Sequence, residues 1–115
     1  MSKAQLSFVA ISALTLSGCV SAGSADVTRE LRVGQTAHIT AYRADGCSAP
    51  APSFASIQGR LPASDIVRYS DGGLSSRVSD QCKARVPTRA VNGTGIKTGS
   101  EVKRFQSGTV AIVVK

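Results

Sequence analysis

The chain has 115 residues, and 14 lysines and arginines against 7 aspartates and glutamates give it a formal net charge of +7 at pH 7. That length suits one small domain with a thin core, for which a covalent cross-link is a useful stabiliser. Aromatic residues make up only 4% of the sequence and tryptophan is absent, which argues against large stacking platforms for sugars or exposed nucleobases.

The chain begins with the parts of a secretory signal. A short basic start with Lys3 precedes an apolar run, Leu6–Leu16, and small residues follow that run, as in a signal with a cleavage site. The run has 11 residues, whereas a bilayer-spanning helix needs about 20. We therefore expect residues 1–18 to be a removed signal peptide and not a permanent span.

The end of this segment, Leu16-Ser17-Gly18-Cys19, resembles the lipobox of bacterial lipoproteins. The resemblance implies that the Cys19 thiol carries a diacylglyceryl group, that cleavage occurs directly before Cys19, and that the new amine is often acylated. One acyl chain binds a membrane only marginally and stable anchoring takes two signals, so two or three chains on Cys19 provide a lasting anchor.

Val20 follows the lipobox cysteine, and in Gram-negative lipoproteins a residue other than aspartate there implies sorting to the outer membrane. The resemblance thus implies a cell-envelope protein, lipid-anchored at the outer membrane and facing the periplasm. An ordinary soluble secretory signal, cleaved near Ser21 and Ala22, is the alternative. Residues 19–26 are then the lipidated cysteine and a flexible tether, and residues 27–115 form a single all-β domain.

The first part of the domain reads as two strands, Thr28–Val33 and Thr36–Arg43, joined by a turn at Gly34-Gln35. In the second strand we expect Ile39 and the flanking alanines to face the core. The opposite face is expected to carry His38, Thr40 and Tyr42.

The middle of the chain combines loops with short strands. Prolines make residues 44–52 a loop, and strands are predicted at Ser53–Gly59 and Asp65–Tyr69. The triplet Asp71-Gly72-Gly73 predicts a hairpin turn into a strand at Leu74–Val78. Pro87 lies between two further strand-like runs, residues 82–86 and 88–91, and predicts an edge strand or a kink there.

Residues 92–99 are rich in turn-forming residues, and two strands, Glu101–Phe105 and Thr109–Val114, are predicted to close the chain as a hairpin. The last run is the most apolar of the domain, so we place it centrally in a sheet. About seven short strands with regular turn signals predict a small all-β sandwich or barrel. The pattern resembles small immunoglobulin-like or cadherin-like modules of bacterial envelopes, which implies an immunoglobulin-like sandwich.

The cysteine count predicts one disulfide. With Cys19 assigned to the lipid, Cys47 and Cys82 remain as an even pair in an oxidising compartment. Two isolated cysteines with His38 as the only further candidate ligand make a poor zinc site, so we expect no metal and no other cofactor.

Catalysis has little support in the sequence. His38 is the only histidine, no nucleophile-elbow motif is present, and the glycine-rich stretch at residues 93–98 lacks the contiguous Gly-Lys-Thr of a phosphate loop. We therefore expect no enzymatic activity and no catalytic residues.

The arginines are the residues of the domain that most directly suggest a binding function, because guanidinium groups bind phosphate and carboxylate bidentately. Four of them are predicted to cluster as an anion-binding patch: Arg68, Arg77, Arg85 and Arg89. The expected partners are the membrane, through the anchor, and an anionic envelope polymer or an envelope protein; nucleic acid is not expected for an exported protein. The alternative is an inhibitor of a periplasmic or host hydrolase, acting through the loop Cys47–Pro52.

Overall fold

The structure is a computed structural model that describes residues 25–115. The predicted signal peptide, the lipobox with Cys19 and most of the predicted tether lie outside these residues. The described part contains these elements: β1 (Val27–Leu31), β2 (Thr36–Arg43), α1 (Phe54–Gln58), β3 (Val67–Ser79), β4 (Ala84–Gly95), β5 (Gly99–Phe105) and β6 (Gly108–Val114).

The strands form two three-stranded sheets, one in the order β1-β6-β5 and the other in the order β2-β4-β3. β1 runs parallel to β6, and the other pairings are antiparallel. The expectation of a small all-β sandwich with one disulfide is confirmed. β6 is the central strand of its sheet, as its apolar sequence predicts, and it forms the expected hairpin with β5.

The core lies between the two sheets. Ile39, Val91 and Ile112 are fully buried and come from β2, β4 and β6. Tyr69 of β3 meets Phe105 of β5 edge to face, with ring centroids 6.2 Å apart. Aromatic pairs prefer this geometry, so the pair joins the two sheets across the core.

The predicted disulfide is present between Cys47 and Cys82, whose Cα atoms are 5.5 Å apart. It joins the loop after β2 to the turn between β3 and β4. Two segments far apart in sequence are therefore held side by side at one end of the sandwich.

The strand predicted at Ser53–Gly59 is wrong, because this segment forms the short helix α1. Ser53 is the N-cap, and its hydroxyl accepts a hydrogen bond from the Ser56 N–H at 3.2 Å. Such a cap satisfies one of the unpaired N–H groups of the first turn. The helix buries Ile57 against the core.

The hairpin predicted at Asp71-Gly72-Gly73 is also wrong. β3 continues through these residues, and its pairing with β4 shifts register between Asp71 and Gly73. Gly73 has a φ of 89°, and its N–H donates to Asp71 Oδ1 at 2.8 Å. The residues that favour a tight turn therefore form a β-bulge.

Pro87 lies within β4, the middle strand of its sheet, and not in a kink between two strands. The pairing of β2 with β4 ends at Arg43 and Thr88, so beyond that point β4 is paired with β3 alone. β4 is thus locally an edge at Pro87, where the missing N–H costs no ladder bond.

The face predicted for β2 is confirmed at His38 and Ile39 and is wrong beyond Ile39. A register shift between His38 and Thr40 inserts Ile39 as an extra residue, which inverts the alternation of faces. His38 is exposed as expected, but Thr40 and Tyr42 are buried, with 3% and 2% of their surface exposed. Within residues 25–115, no helix is both long enough and apolar enough to cross a bilayer.

Candidate functional site

Backbone N–H and C=O groups at the outer edge of β2 form hydrogen bonds with side chains from other elements. Arg77 of β3 donates from Nη1 to the carbonyl oxygen of Ala41 at 2.9 Å. Gln106, in the turn between β5 and β6, pairs with both backbone polar groups of Arg43. Edge strands carry unpaired backbone groups that need such partners, and these contacts draw three elements together at one end of the sandwich.

A cleft of about 580 Å³ opens at this end, and we call it the arginine cleft. It is formed by the end of β2, residue 60 after α1, the end of β3 with its following turn, and the turn between β5 and β6. Its charged and polar lining side chains are Arg43, Arg60, Arg77, Ser79, Asp45, Asp80, Gln81, Gln106 and Ser107.

Two of the cleft arginines are oriented by their neighbours. Arg43 donates from Nη1 to the carbonyl oxygen of Ala44 at 2.7 Å, and its Nη2 contacts the side chain of Gln81. The guanidinium of Arg60 lies 5.3 Å from the centroid of the Tyr42 ring, within cation–π range. Both cations therefore have neighbours that keep them at the cleft without neutralising them.

The arginines of the cleft form no ion pairs within residues 25–115. The ion pairs found within residues 25–115 join Arg89 to Asp71, Lys103 to Glu101 and Lys115 to Glu30. None of them involves a cleft residue. Asp45 and Asp80 also line the cleft, but neither forms an ion pair with one of its arginines within residues 25–115.

Arg77 is half-buried, whereas Arg60 is exposed. Burial lowers the pKa of the Arg77 guanidinium, and the neighbouring charge of Arg43 lowers that pKa further. Both effects disfavour a charged group in its site. Two close guanidinium groups without a carboxylate partner form a site whose electrostatic energy falls when an anion binds.

The four arginines predicted as one patch do not come together. Arg77 lines the arginine cleft, whereas Arg68 is nine residues away on β3, about 30 Å along the strand. Arg85 pairs with Val78, on the face opposite Arg77, and donates to Ser76 Oγ at 3.1 Å. Arg89 is held by the Pro52 carbonyl oxygen at 3.1 Å and by Asp71 at 3.3 Å.

Sequence reasoning missed Arg43 and Arg60 as site residues. One signal for Arg43 was available, because a Cys47–Cys82 disulfide places the end of β2 beside the turn after β3. No comparable signal marked Arg60, whose position depends on the short helix α1 and on the burial of Tyr42.

The only histidine and the candidate metal ligands can now be placed relative to the cleft. His38 lies outside the arginine cleft, and burial together with the charge of Arg29 lowers its pKa. Across the described part of the chain, no three histidine, cysteine, aspartate or glutamate side chains gather as metal ligands. What the arginine cleft can do chemically is bind a group that carries negative charge.

No protein family, curated protein or solved structure matches this chain. A function is therefore inferred from the geometry of the arginine cleft.

Proposed function

We propose that this protein is a non-enzymatic binding module of the bacterial cell envelope, lipid-anchored at Cys19, that holds an anionic group of an envelope component in the arginine cleft. One observation carries the proposal. Arg43, Arg60 and Arg77 line a single cleft, and none of them is in an ion pair within residues 25–115.

The chemistry of the guanidinium group supports an oxyanion as the ligand. Its planar fork of N–H donors matches phosphate and carboxylate, and charge-assisted hydrogen bonds are roughly twice as strong as neutral ones. Part of the donor capacity of Arg43 and Arg77 is used to fix the two side chains, so an incoming anion meets donors that are already ordered. Pre-ordered donors lower the entropic cost of binding.

The proposed location at the outer membrane is supported by the lipobox-like sequence at residues 16–19. A lipid-anchored domain at the outer membrane faces a compartment with anionic phospholipids, lipopolysaccharide and wall polymer. Without Lys3, which leaves with the signal peptide, 13 lysines and arginines against 7 acidic residues give a net charge of +6 that attracts the domain to all of them. The arginine cleft adds a defined contact to this general attraction. The membrane, through the anchor, and an anionic envelope component are the proposed partners.

Thermal unfolding of the full protein in a non-ionic detergent tests the cleft, with pyrophosphate as the probe. A ligand that binds only the folded state stabilises it by RT ln(1 + L/Kd), where L is the free ligand concentration, so Tm rises as L exceeds Kd. We expect pyrophosphate to raise the Tm of the wild type and to have little effect on the double variant Arg43→Gln, Arg60→Gln.

The matched control is the double variant Arg68→Gln, Arg104→Gln, which loses the same charge at exposed positions outside the cleft. It should keep the wild-type response. An equal loss of response in both double variants would mean that net charge and not the cleft attracts the probe, and the proposal would be wrong.

The loop Cys47–Pro52 gives a second candidate function, inhibition of a hydrolase. The structure fixes this loop near both ends, through the disulfide at Cys47 and through Arg89, which donates to the Pro52 carbonyl oxygen at 3.1 Å. Salt separates the two functions, because it screens the attraction of an exposed anion. A polyanion should dissociate in a high-salt wash, whereas an inhibited enzyme should stay bound in a stoichiometric complex.

A further inference from the structure

A second cavity, of about 280 Å³, lies between β1, β2 and β3. Its cationic lining side chains are Arg29 and Arg77, and His38, Ser75 and Ser76 contribute an imidazole and two hydroxyl groups. No carboxylate among residues 25–115 lines it. Arg77 and Ser107 are shared with the arginine cleft, whereas Arg29, His38, Ser75 and Ser76 do not line it. We call it the β1 cavity.

The β1 cavity is amphiphilic. Arg29 makes only a long hydrogen bond, from Nε to the carbonyl oxygen of Ile39 at 3.4 Å, and forms no ion pair in the described part of the chain. The apolar lining comes from Val27, Ile39, Ala41 and Val110. A cationic rim beside apolar side chains suits a ligand that joins a phosphate to a hydrocarbon part.

The distance between the cavity and the anchor narrows the choice of ligand to groups near the membrane surface. Val27 lines the cavity and is the first residue of β1. Seven residues, 20–26, separate it from Cys19, and a fully extended chain spans at most about 3.5 Å per residue. An acylated Cys19 therefore keeps the cavity mouth within about 28 Å of the bilayer surface, close enough for contact.

We propose that the β1 cavity binds the phosphate of a phospholipid headgroup in the membrane that holds the anchor. The phosphate lies against Arg29, His38 and Arg77, and the adjoining glycerol lies against the apolar wall. This contact fixes the orientation of the domain on the membrane. The inference rests on the lipid anchor of the proposed function, and it does not depend on the ligand of the arginine cleft.

Tryptophan reporters can measure this orientation because the chain has no tryptophan of its own. Leu74 is 74% exposed and adjoins Ser75 of the cavity, whereas Val102 is 48% exposed on β5. β5 is two strands away from β1, about 10 Å across its sheet. The acylated variants Leu74→Trp and Val102→Trp are reconstituted in vesicles and quenched with acrylamide from the aqueous phase.

In vesicles of phosphatidylglycerol and phosphatidylcholine, we expect acrylamide to quench the reporter at position 74 less than the reporter at 102. In galactolipid vesicles, which contain no phosphate, the difference should disappear. Adding Arg29→Gln or, independently, Ser75→Asp to the reporter should abolish the difference in phospholipid vesicles. Adding Arg104→Gln, which removes one charge from exposed β5, should leave it intact.

Three results would overturn the inference: equal quenching of both reporters in phospholipid vesicles, a difference that persists in galactolipid, or a difference unaffected by Arg29→Gln and Ser75→Asp. It is also overturned if inorganic phosphate stabilises the wild type and not Arg29→Gln while the reporters show no difference, because the cavity then takes soluble phosphate. Failure of the anchor is recognised separately, since the purified chain would lack acyl mass and would not float with vesicles.

Discussion

The side-chain amide of Gln106 pairs with the backbone of Arg43 as a neighbouring strand would. The Arg43 N–H donates to Oε1 at 2.7 Å, and Nε2 donates to the Arg43 carbonyl oxygen at 3.0 Å. Gln106 Oε1 also accepts from Arg77 Nη2 at 3.2 Å. One side chain thus closes the edge of β2 and links two of the arginines that line the cleft.

Replacing Gln106 should therefore destabilise the fold. Gln106→Ala leaves the half-buried Arg43 without its backbone partners, which costs about 1–3 kcal/mol of unfolding free energy. Urea unfolding measures the loss. Gln58→Ala, at an exposed position of α1, is the matched control and should change stability by less than about 0.5 kcal/mol. Similar losses in both variants would show that the pairing with Arg43 is not stabilising.

The disulfide should support both stability and the cleft. Cys47 and Cys82 are separated by 35 residues, and a bridge closing a loop of that length stabilises by about 4 kcal/mol in the chain-entropy model. Its two loops carry Asp45, Asp80 and Gln81 of the cleft wall. The double variant Cys47→Ala, Cys82→Ala should lose stability and show a smaller Tm response to pyrophosphate. Unchanged values in both measurements would contradict this role.

Gly95 marks a close approach between the sheets. A Cβ atom there would lie 2.6 Å from the carbonyl oxygen of Arg32 and 3.0 Å from Val114 Cγ1. We expect Gly95→Ala to destabilise by about 1–3 kcal/mol through overpacking. Gly59→Ala is the control, because its φ is −72° and no atom of the described residues lies within 4 Å of the new Cβ. A neutral effect at Gly95 in thermal unfolding would contradict the close contact.

Tyr69 makes the fold sensitive to high pH. Burial, followed by the charges of Glu101 and Tyr42, raises its pKa from 10.0 to about 12. Its hydroxyl donates to the Pro62 carbonyl oxygen at 2.8 Å. Because the folded pKa lies above the unfolded one, the stability from neutral Tyr69 is complete below pH 10 and is lost as the pH rises toward 12.

Urea unfolding across this range checks the titration. The wild type should lose stability between pH 10 and about 12, and Tyr69→Phe should start lower at neutral pH and decline less. The pKa of Tyr42 is also raised, chiefly by burial, so some decline remains in the variant. If the unfolding free energies of wild type and variant fell in parallel with pH, the raised pKa of the Tyr69 phenol would be contradicted.

The sequence signals that succeeded are those that depend on few residues. The apolar run of β6 predicts a central strand, because only a strand with neighbours on both sides buries so continuous a run. Cys47 and Cys82 predict the bridge by elimination. The hairpin between Phe105 and Gly108 follows from two strands and a short turn.

The signals that failed concern residues whose local chemistry suits more than one structure. Asp71 and Gly73 favour a turn and a bulge equally well, and only pairing with β4 decides between them. Ser53–Gly59 is too short for helical periodicity. The face of Tyr42 depends on the bulge at Ile39, which the alternating sequence of β2 does not reveal.

The arginine cleft could be predicted only in part. The sequence predicts that Arg77 lies in a strand and can bind an anion. Its position beside Arg43 depends on Gln106, in the turn between β5 and β6 of the other sheet. Arg60 depends on the end of α1. A site assembled from four separate segments leaves no contiguous motif in the sequence, whereas the lipobox resemblance, which stays a prediction, depends on four consecutive residues.

Intact-mass measurement of the protein from bacterial membranes, before and after reduction, tests the envelope anchor most directly. We predict a chain that begins at Cys19, carries a diacylglyceryl or triacyl adduct, and gains the mass of two hydrogens when the Cys47–Cys82 bridge is opened. A chain that begins at Met1, carries no lipid and is recovered from the cytosol would contradict the account.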